Sequence, residues 1–161
     1  MQLDENELLG VLGHEFGHLR GRDPIILYGL VSAEFLFRFY VLFPLFPLIF
    51  SSFLFFAYFW AVMVLIFFIA KFFEARADLV SAMVVGNPQI LAGSLEKIGF
   101  QRLLYERMPS YRIQEWIGLD PHPPIYFRVN RLAKFTPSTV RYPLIQSMTD
   151  VIHGFVDTLK G

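Results

Sequence analysis

Leu8, Leu9, Leu12, Phe16 and Leu19 recur at helical spacing near the start of the chain and predict one amphipathic helix from about Asp4 to Leu19. Glu5 and Glu7 stand near its beginning, where acidic groups suit the helix dipole. After the charged run Arg20-Gly21-Arg22-Asp23 the polar positions disappear: between Pro24 and Ala70 only Glu34 and Arg38 are charged. At about 1.5 Å of rise per residue, roughly 20 residues cross a bilayer core, so this stretch is too long for one span and fits two. The pattern predicts transmembrane helices at about Ile25 to Phe43 and Phe53 to Phe73. The turn between them is expected at Pro44-Leu45-Phe46-Pro47 through Ser51-Ser52, where two prolines break the helix and serines satisfy freed carbonyls.

The second span continues without a break signal through Lys71 to Val85 and stops at Gly86-Asn87-Pro88, an order that suits a helix end, a new N-cap and a first helical position. The next helix carries Leu91, Leu95 and Ile98 on one face. Met108 to Asp120 shows no clear period and reads as irregular. A further helix is predicted to begin at His122-Pro123-Pro124, carrying Val129 and Leu132, and to end at Thr136-Pro137-Ser138. A last amphipathic helix, over about 143–160, places Leu144, Met148, Val151, Phe155 and Leu159 on one stripe and His153 on its polar side. The expected fold class is mainly α, in a single domain over 1–161, with a transmembrane pair at 25–73 between a first helix at 1–23 and a remainder at 74–135.

Composition turns the apolar pattern into a membrane argument. The chain is 55% hydrophobic and holds 19 Phe among 161 residues, more apolar surface than a soluble domain of that size buries. Lipid is therefore an expected partner. Fourteen basic residues balance fourteen acidic ones, which gives no strong net field to attract nucleic acid or anionic lipid. No cysteine is present, so disulfides, thiolate metal sites and cysteine nucleophiles are excluded, and a metal must be held by His and carboxylates. The polar, acidic N-terminus lacks the basic and apolar regions of a signal peptide. Arg20 and Arg22 precede the apolar stretch and Lys71 and Arg76 follow it, which places both outer ends, with the first helix, on the cytoplasmic side.

On that helix His14 and His18 are four residues apart, so their side chains share a face with Cβ atoms about 5–6 Å apart, close enough for both imidazoles to reach one zinc ion. Glu15 sits one position round from His14, where it reaches a water rather than the metal. Two histidines on such a face also read as polar surface. Glu74 supplies a third ligand candidate, and two His plus one Glu leave the fourth zinc position open for water. Asp78, one turn on, can accept a hydrogen bond from a ligand imidazole. The alternative for Glu74 and Asp78 is a pair of juxtamembrane charges balanced by Lys71 and Arg76. His122, fixed by two following prolines, and Arg128 can donate to a carbonyl oxygen that gains charge. An incidental histidine at a helix boundary fits the same residues. Glu34 and Arg38, at i and i+4, either neutralise each other or line a groove inside the membrane.

These pieces resemble the HtpX-like and CAAX prenyl protease group of membrane zinc metalloproteases. The resemblance runs in order through GVLGHEFGHLRGRD (10–23), two hydrophobic helices, EARAD (74–78), GNPQILAGSLEKI (86–98) and HPPIYFRVNRL (122–132), and so covers most of the chain up to about Phe135. It implies a zincin-like helical domain in which His14, His18 and Glu74 bind one Zn²⁺ and Glu15 acts as general base and acid. It also implies that Asp78 supports a ligand and that His122 and Arg128 assist substrate or oxyanion binding. The implied activity is endopeptidase cleavage of misfolded or membrane proteins. The implied setting is the plasma membrane of a prokaryote, with the active site facing the cytoplasm and quality-control proteins as partners. Members of this group carry an N-terminal half before the zinc helix, so the expectation here is a fragment or a shortened homologue. Two other readings fit parts of the pattern: a sensor-type membrane metalloprotease, against which the HPP segment counts, and a non-catalytic zinc-binding module, in which Glu15 has no use.

Overall fold

The computed structural model describes residues 3–47, 53–136 and 140–160, and these form helices joined by short connections, with no strand among the described residues. Helix α1 (Glu5–Gly21) starts at Asp4, whose side chain accepts from the Glu7 amide while Glu7 accepts from the Asp4 amide, so two donors of the first turn are satisfied. Helix α2 (Asp23–Phe37) follows after a single left-handed residue, Arg22, with φ 55°. It continues through a wider turn at Arg38–Leu42 into a final turn at Phe43–Leu45. Pro44 explains the widening, because its ring removes one backbone donor and crowds the preceding turn.

Helix α3 (Phe53–Val85) changes character along its length. None of residues 53–69 is buried, whereas 11 of the 13 from Ala70 to Ala82 are, Phe72 and Arg76 being partly buried. The helix therefore enters a packed protein core near Ala70. Asp23–Leu45 and Phe53–Val85 are both long and apolar enough to cross a membrane, and at most 6% of either apolar window is packed inside the protein. Core helices of a soluble domain would be mostly buried. The two helices meet at Glu34, which accepts both from Arg38 (2.9 Å) and from the Tyr58 hydroxyl (3.0 Å). The Ser51-Ser52 half of the expected turn lies outside the described residues.

Gly86 (φ +77°) ends α3, and Asn87 caps the next helix, α4 (Pro88–Ile98), by accepting from Gln89. Helices α5 (Phe100–Tyr105), α6 (Pro109–Ile117), α7 (Ile125–Ala133) and α8 (Pro143–Lys160) complete the described chain. One core cluster joins α3, α4 and α7 through Ala82, Leu91, Ala92 and Leu132. A second joins α3, α6 and α8 through Ala75, Trp116 and Val151, with Phe68, Phe72, Phe127 and Phe155 around it.

Several expectations change here. The stretch read as irregular contains α6, whose Trp116 is fully buried and donates to Thr158 at 3.0 Å. Helix α7 begins at Ile125, after the two buried prolines rather than at them, because Glu106 accepts from the Ile125 and Tyr126 amides (2.8 and 2.7 Å) and fixes the first turn there. Ile98 is exposed instead of sharing the face of Leu91 and Leu95. In α8 the buried positions are Ser147 and Val151, and Leu144, Met148 and Leu159 point outward.

The largest change concerns α1. Its leucine stripe, Leu8, Leu9, Leu12, Phe16 and Leu19, is exposed, and the face that packs is Gly10, Gly13, His14 and Gly17. A Cβ on Gly17 would stand 2.9 Å from Ala77 Cα, and one on Gly13 would stand 2.8 Å from Ser81 Oγ. Small residues on both helices let the backbones touch, and Ser81 Oγ donates to the Gly10 carbonyl at 2.7 Å across the seam. This close approach presses the polar face of α1, including its histidines, onto the part of α3 that carries Glu74 and Asp78.

Candidate metal centre

Three imidazoles from two distant parts of the chain converge on Glu74. His14 Nε2 lies 3.3 Å from Glu74 Oε2, His18 Nε2 lies 3.2 Å from Oε1, and His122 Nε2 lies 3.5 Å from Oε2. The helical spacing of His14 and His18 brings their Nε2 atoms to 3.1 Å of each other. His122 arrives from the segment between α6 and α7 and is about half exposed, whereas His14 and Glu74 are buried.

Each imidazole has an aspartate on its other nitrogen. His18 Nδ1 and Asp23 Oδ2 are 2.8 Å apart, and His122 Nδ1 and Asp120 Oδ1 are 2.8 Å apart. His14 Nδ1 stands 2.9 Å from Asp78 Oδ1, off the line of a hydrogen bond. Such partners fix ring orientation and direct Nε2 toward Glu74. The aspartates are anchored in turn. Arg128, itself buried, grips Asp78 with Nε (2.9 Å) and Nη2 (2.7 Å) and reaches only to 4.0 Å from Glu74. Arg76 donates to Asp23 at 2.6 Å, and Arg102 donates to Asp120 at 2.9 Å. Lys71, fully buried, donates to the Asp120 carbonyl. Glu15 is exposed on the next position of α1 and has no ion-pair partner among the described residues.

The carboxylates set the charge of the imidazoles. Asp23 and Glu74 accept from His18 and outweigh its burial, raising its pKa to about 9. Burial acts to lower the His14 pKa, but Asp78 and Glu74 overcome it and the net shift is upward. Burial also opposes ionisation of Asp120, yet the hydrogen bonds from His122 and the charge of Arg102 hold its carboxyl below the usual range. The upward shifts of His14 and His18 are those of groups that lie among carboxylates.

Possible metal-ligand atoms of His14, His18 and Glu74 all lie within 4.8 Å of one another. The residues fit a divalent ion on two observations. Glu74 Oε2 is buried and takes no well-formed hydrogen bond, its neighbours being His14 Nε2 at 3.3 Å and His122 Nε2 at 3.5 Å, and a buried carboxylate oxygen costs a few kcal/mol to leave so. The two Nε2 atoms face each other over 3.1 Å, an arrangement in which neutral rings oriented by Asp78 and Asp23 through Nδ1 would set lone pair against lone pair. A cation between them removes that repulsion. The donor set, two imidazoles and a carboxylate, suits zinc.

Sequence reasoning singled out His14, Glu15, His18, Glu74, Asp78, His122 and Arg128, and the structure brings all but the exposed Glu15 into one connected set of contacts. It missed Asp23 and Asp120, which hold His18 and His122. Their signal was positional: Asp23 follows His18 by five residues at the helix end, and Asp120 precedes His122 by two. The model of peptidase family M48 matches residues 1–136. No curated protein and no solved structure matches the chain.

Proposed function

The chain belongs to peptidase family M48, which includes HtpX and the CAAX protease-like membrane metalloproteases, and on that premise we propose that it is a membrane-bound, zinc-dependent endopeptidase acting on misfolded or membrane polypeptides. The observation that carries this reading is the convergence of His14, His18 and Glu74, with Glu74 Oε2 buried and without a well-formed hydrogen bond. In the proposal these three residues hold one zinc ion, and Asp78 and Asp23 orient the two imidazoles. Zinc, when bound, supplies Lewis acidity for the scissile carbonyl and for the attacking water. Glu15, exposed beside His14, takes the proton from that water and delivers it to the leaving amine. His122, half exposed and aligned by Asp120, is the group available to donate to the carbonyl oxygen as it gains charge. Arg128 acts through Asp78 rather than on substrate, because it is buried and its fork is engaged there. The apolar segments of α2 and α3 lie in the bilayer, and the metal centre faces the cytoplasm on the side of Arg20 and Arg22.

The test is degradation of an unfolded protein by the detergent-solubilised chain with added zinc. The Glu15→Gln variant is expected to bind zinc as the wild type does and to lose activity by about 10²-fold or more, since it keeps the shape and loses the base. Equal activity in the two proteins contradicts the assignment of Glu15. Zinc bound by both with no activity in either favours a binding module.

A further inference from the structure

A second polar feature lies away from the metal centre. The end of α1, the C-terminal part of α3 and the start of α8 border a cavity of about 560 Å³, and its charged walls are Arg20, Arg76 and Arg141. Val80, Met83 and Leu144 also line it, and no acidic side chain does among the described residues. Arg76 is seated by design of the backbone: a Cβ on Gly21 would stand 1.6 Å from its Nη2, so glycine there makes the room. One arm of Arg76 donates to Asp23 and to the Gly17 carbonyl, while its Nε is buried without a hydrogen-bond partner among the described residues. Arg20 and Arg141 are exposed and form no ion pair among the described residues; Arg141 rests over Tyr142 at 5.4 Å. Three guanidinium groups with one nearby carboxylate leave the cavity cationic. Helix α8 adds the positive end of its dipole, because it begins at Pro143 in the cavity wall.

The position of the cavity selects among anions. Arg20 lies just before the first apolar helix, which begins at Asp23, and Arg76 lies a few residues beyond Ala70, where α3 enters the packed core. If α2 and α3 cross a bilayer, the arginines stand at headgroup level, beside the apolar segments. We propose that this cavity binds an anionic phospholipid, with its phosphate among Arg20, Arg76 and Arg141 and its acyl chains directed toward the apolar segment of α3 that precedes Ala70. A free phosphate matches the arginines but makes no use of their place beside the apolar segments. Because Arg76 also holds Asp23, the partner of His18, the bound headgroup sits one salt bridge from the metal centre.

The experiment measures binding of phosphatidylglycerol and of phosphatidylcholine to the purified full chain in detergent, by native mass spectrometry, with inorganic phosphate as competitor. The wild type is expected to retain phosphatidylglycerol over phosphatidylcholine, and inorganic phosphate at equal concentration is expected not to displace it. A double variant, Arg20→Ala with Arg141→Ala, is expected to bind phosphatidylglycerol about 25-fold more weakly, roughly fivefold for each basic group near a membrane surface. The corresponding double lysine variant should recover most of that loss. Neither arginine touches the metal centre, so unchanged zinc binding by the variants reports intact folding. Equal retention of the two lipids, displacement by inorganic phosphate, or undiminished binding by the alanine variant would each overturn the proposal.

Discussion

Replacing Gly17 by alanine tests whether helix contact sets the metal-ligand geometry. The new Cβ would stand 2.9 Å from Ala77 Cα and 3.1 Å from the Ala77 carbonyl oxygen, whereas ordinary contact begins at 3.4 Å, so α1 must withdraw from α3 by about half an ångström. The obstructing atoms are backbone and cannot rotate away. Overpacking of this kind costs about 1–3 kcal/mol. Alanine returns about 1 kcal/mol through its better helix propensity, leaving a net loss of roughly 0–2 kcal/mol in stability. The larger effect falls on the site, because His14 and His18 ride on α1 while Glu74 rides on α3, and metal sites tolerate only about 0.2 Å of ligand displacement. Zinc affinity is expected to drop by roughly 10-fold or more, as it does when ligand-supporting contacts are lost. The assay is chelator competition for zinc alongside denaturant unfolding of the metal-free chain. Gly93→Ala is the control: nothing lies within 4 Å of its Cβ position, so it should gain up to about 1 kcal/mol and leave zinc binding alone. Wild-type zinc affinity in Gly17→Ala would refute the claim that the glycine seam sets the distance between ligands.

Two further outcomes follow from the same contacts. Asp78→Asn leaves the buried Arg128 without its counter-charge, so unfolding is expected to be about 3–5 kcal/mol easier and zinc binding about 10–100-fold weaker; an unchanged denaturation midpoint contradicts this. The raised pKa of His18 means that its ion pairs stabilise the metal-free chain fully below pH 6.5, and that this contribution fades as the pH rises through about 9. Zinc needs the neutral ring, so loading at pH 7.5 should release about one proton or more, read from calorimetry in two buffers of different ionisation heat; zero release contradicts the linkage.

The parts of the fold written in short-range signals were legible. The stop and restart at Gly86-Asn87-Pro88, the apolar pair of helices and the i, i+4 histidines each depend on neighbours within a turn or two. What was not legible depended on residues far apart. Trp116 is buried because α3 and α8 close over it, and no periodicity in its own segment announces that. Glu106 sets the start of α7 from 19 residues away. Helix α1 shows why a hydrophobic stripe does not decide which face packs. Glycines opposite Ala77 and Ser81 permit backbone contact, and the leucines are left outside. In the site, the ligand candidates were readable from residue type and spacing. The aspartates behind His18 and His122 were not, since an Asp near a helix end is ordinarily a solvated charge.

The most direct measurement is the zinc content of the purified chain together with zinc-edge X-ray absorption. One zinc per chain with only nitrogen and oxygen neighbours is expected, retained in Glu15→Gln and lost in both His14→Ala and Glu74→Ala. Zinc retained at full occupancy in Glu74→Ala, or a metal-free wild type that still cleaves polypeptide, would contradict this.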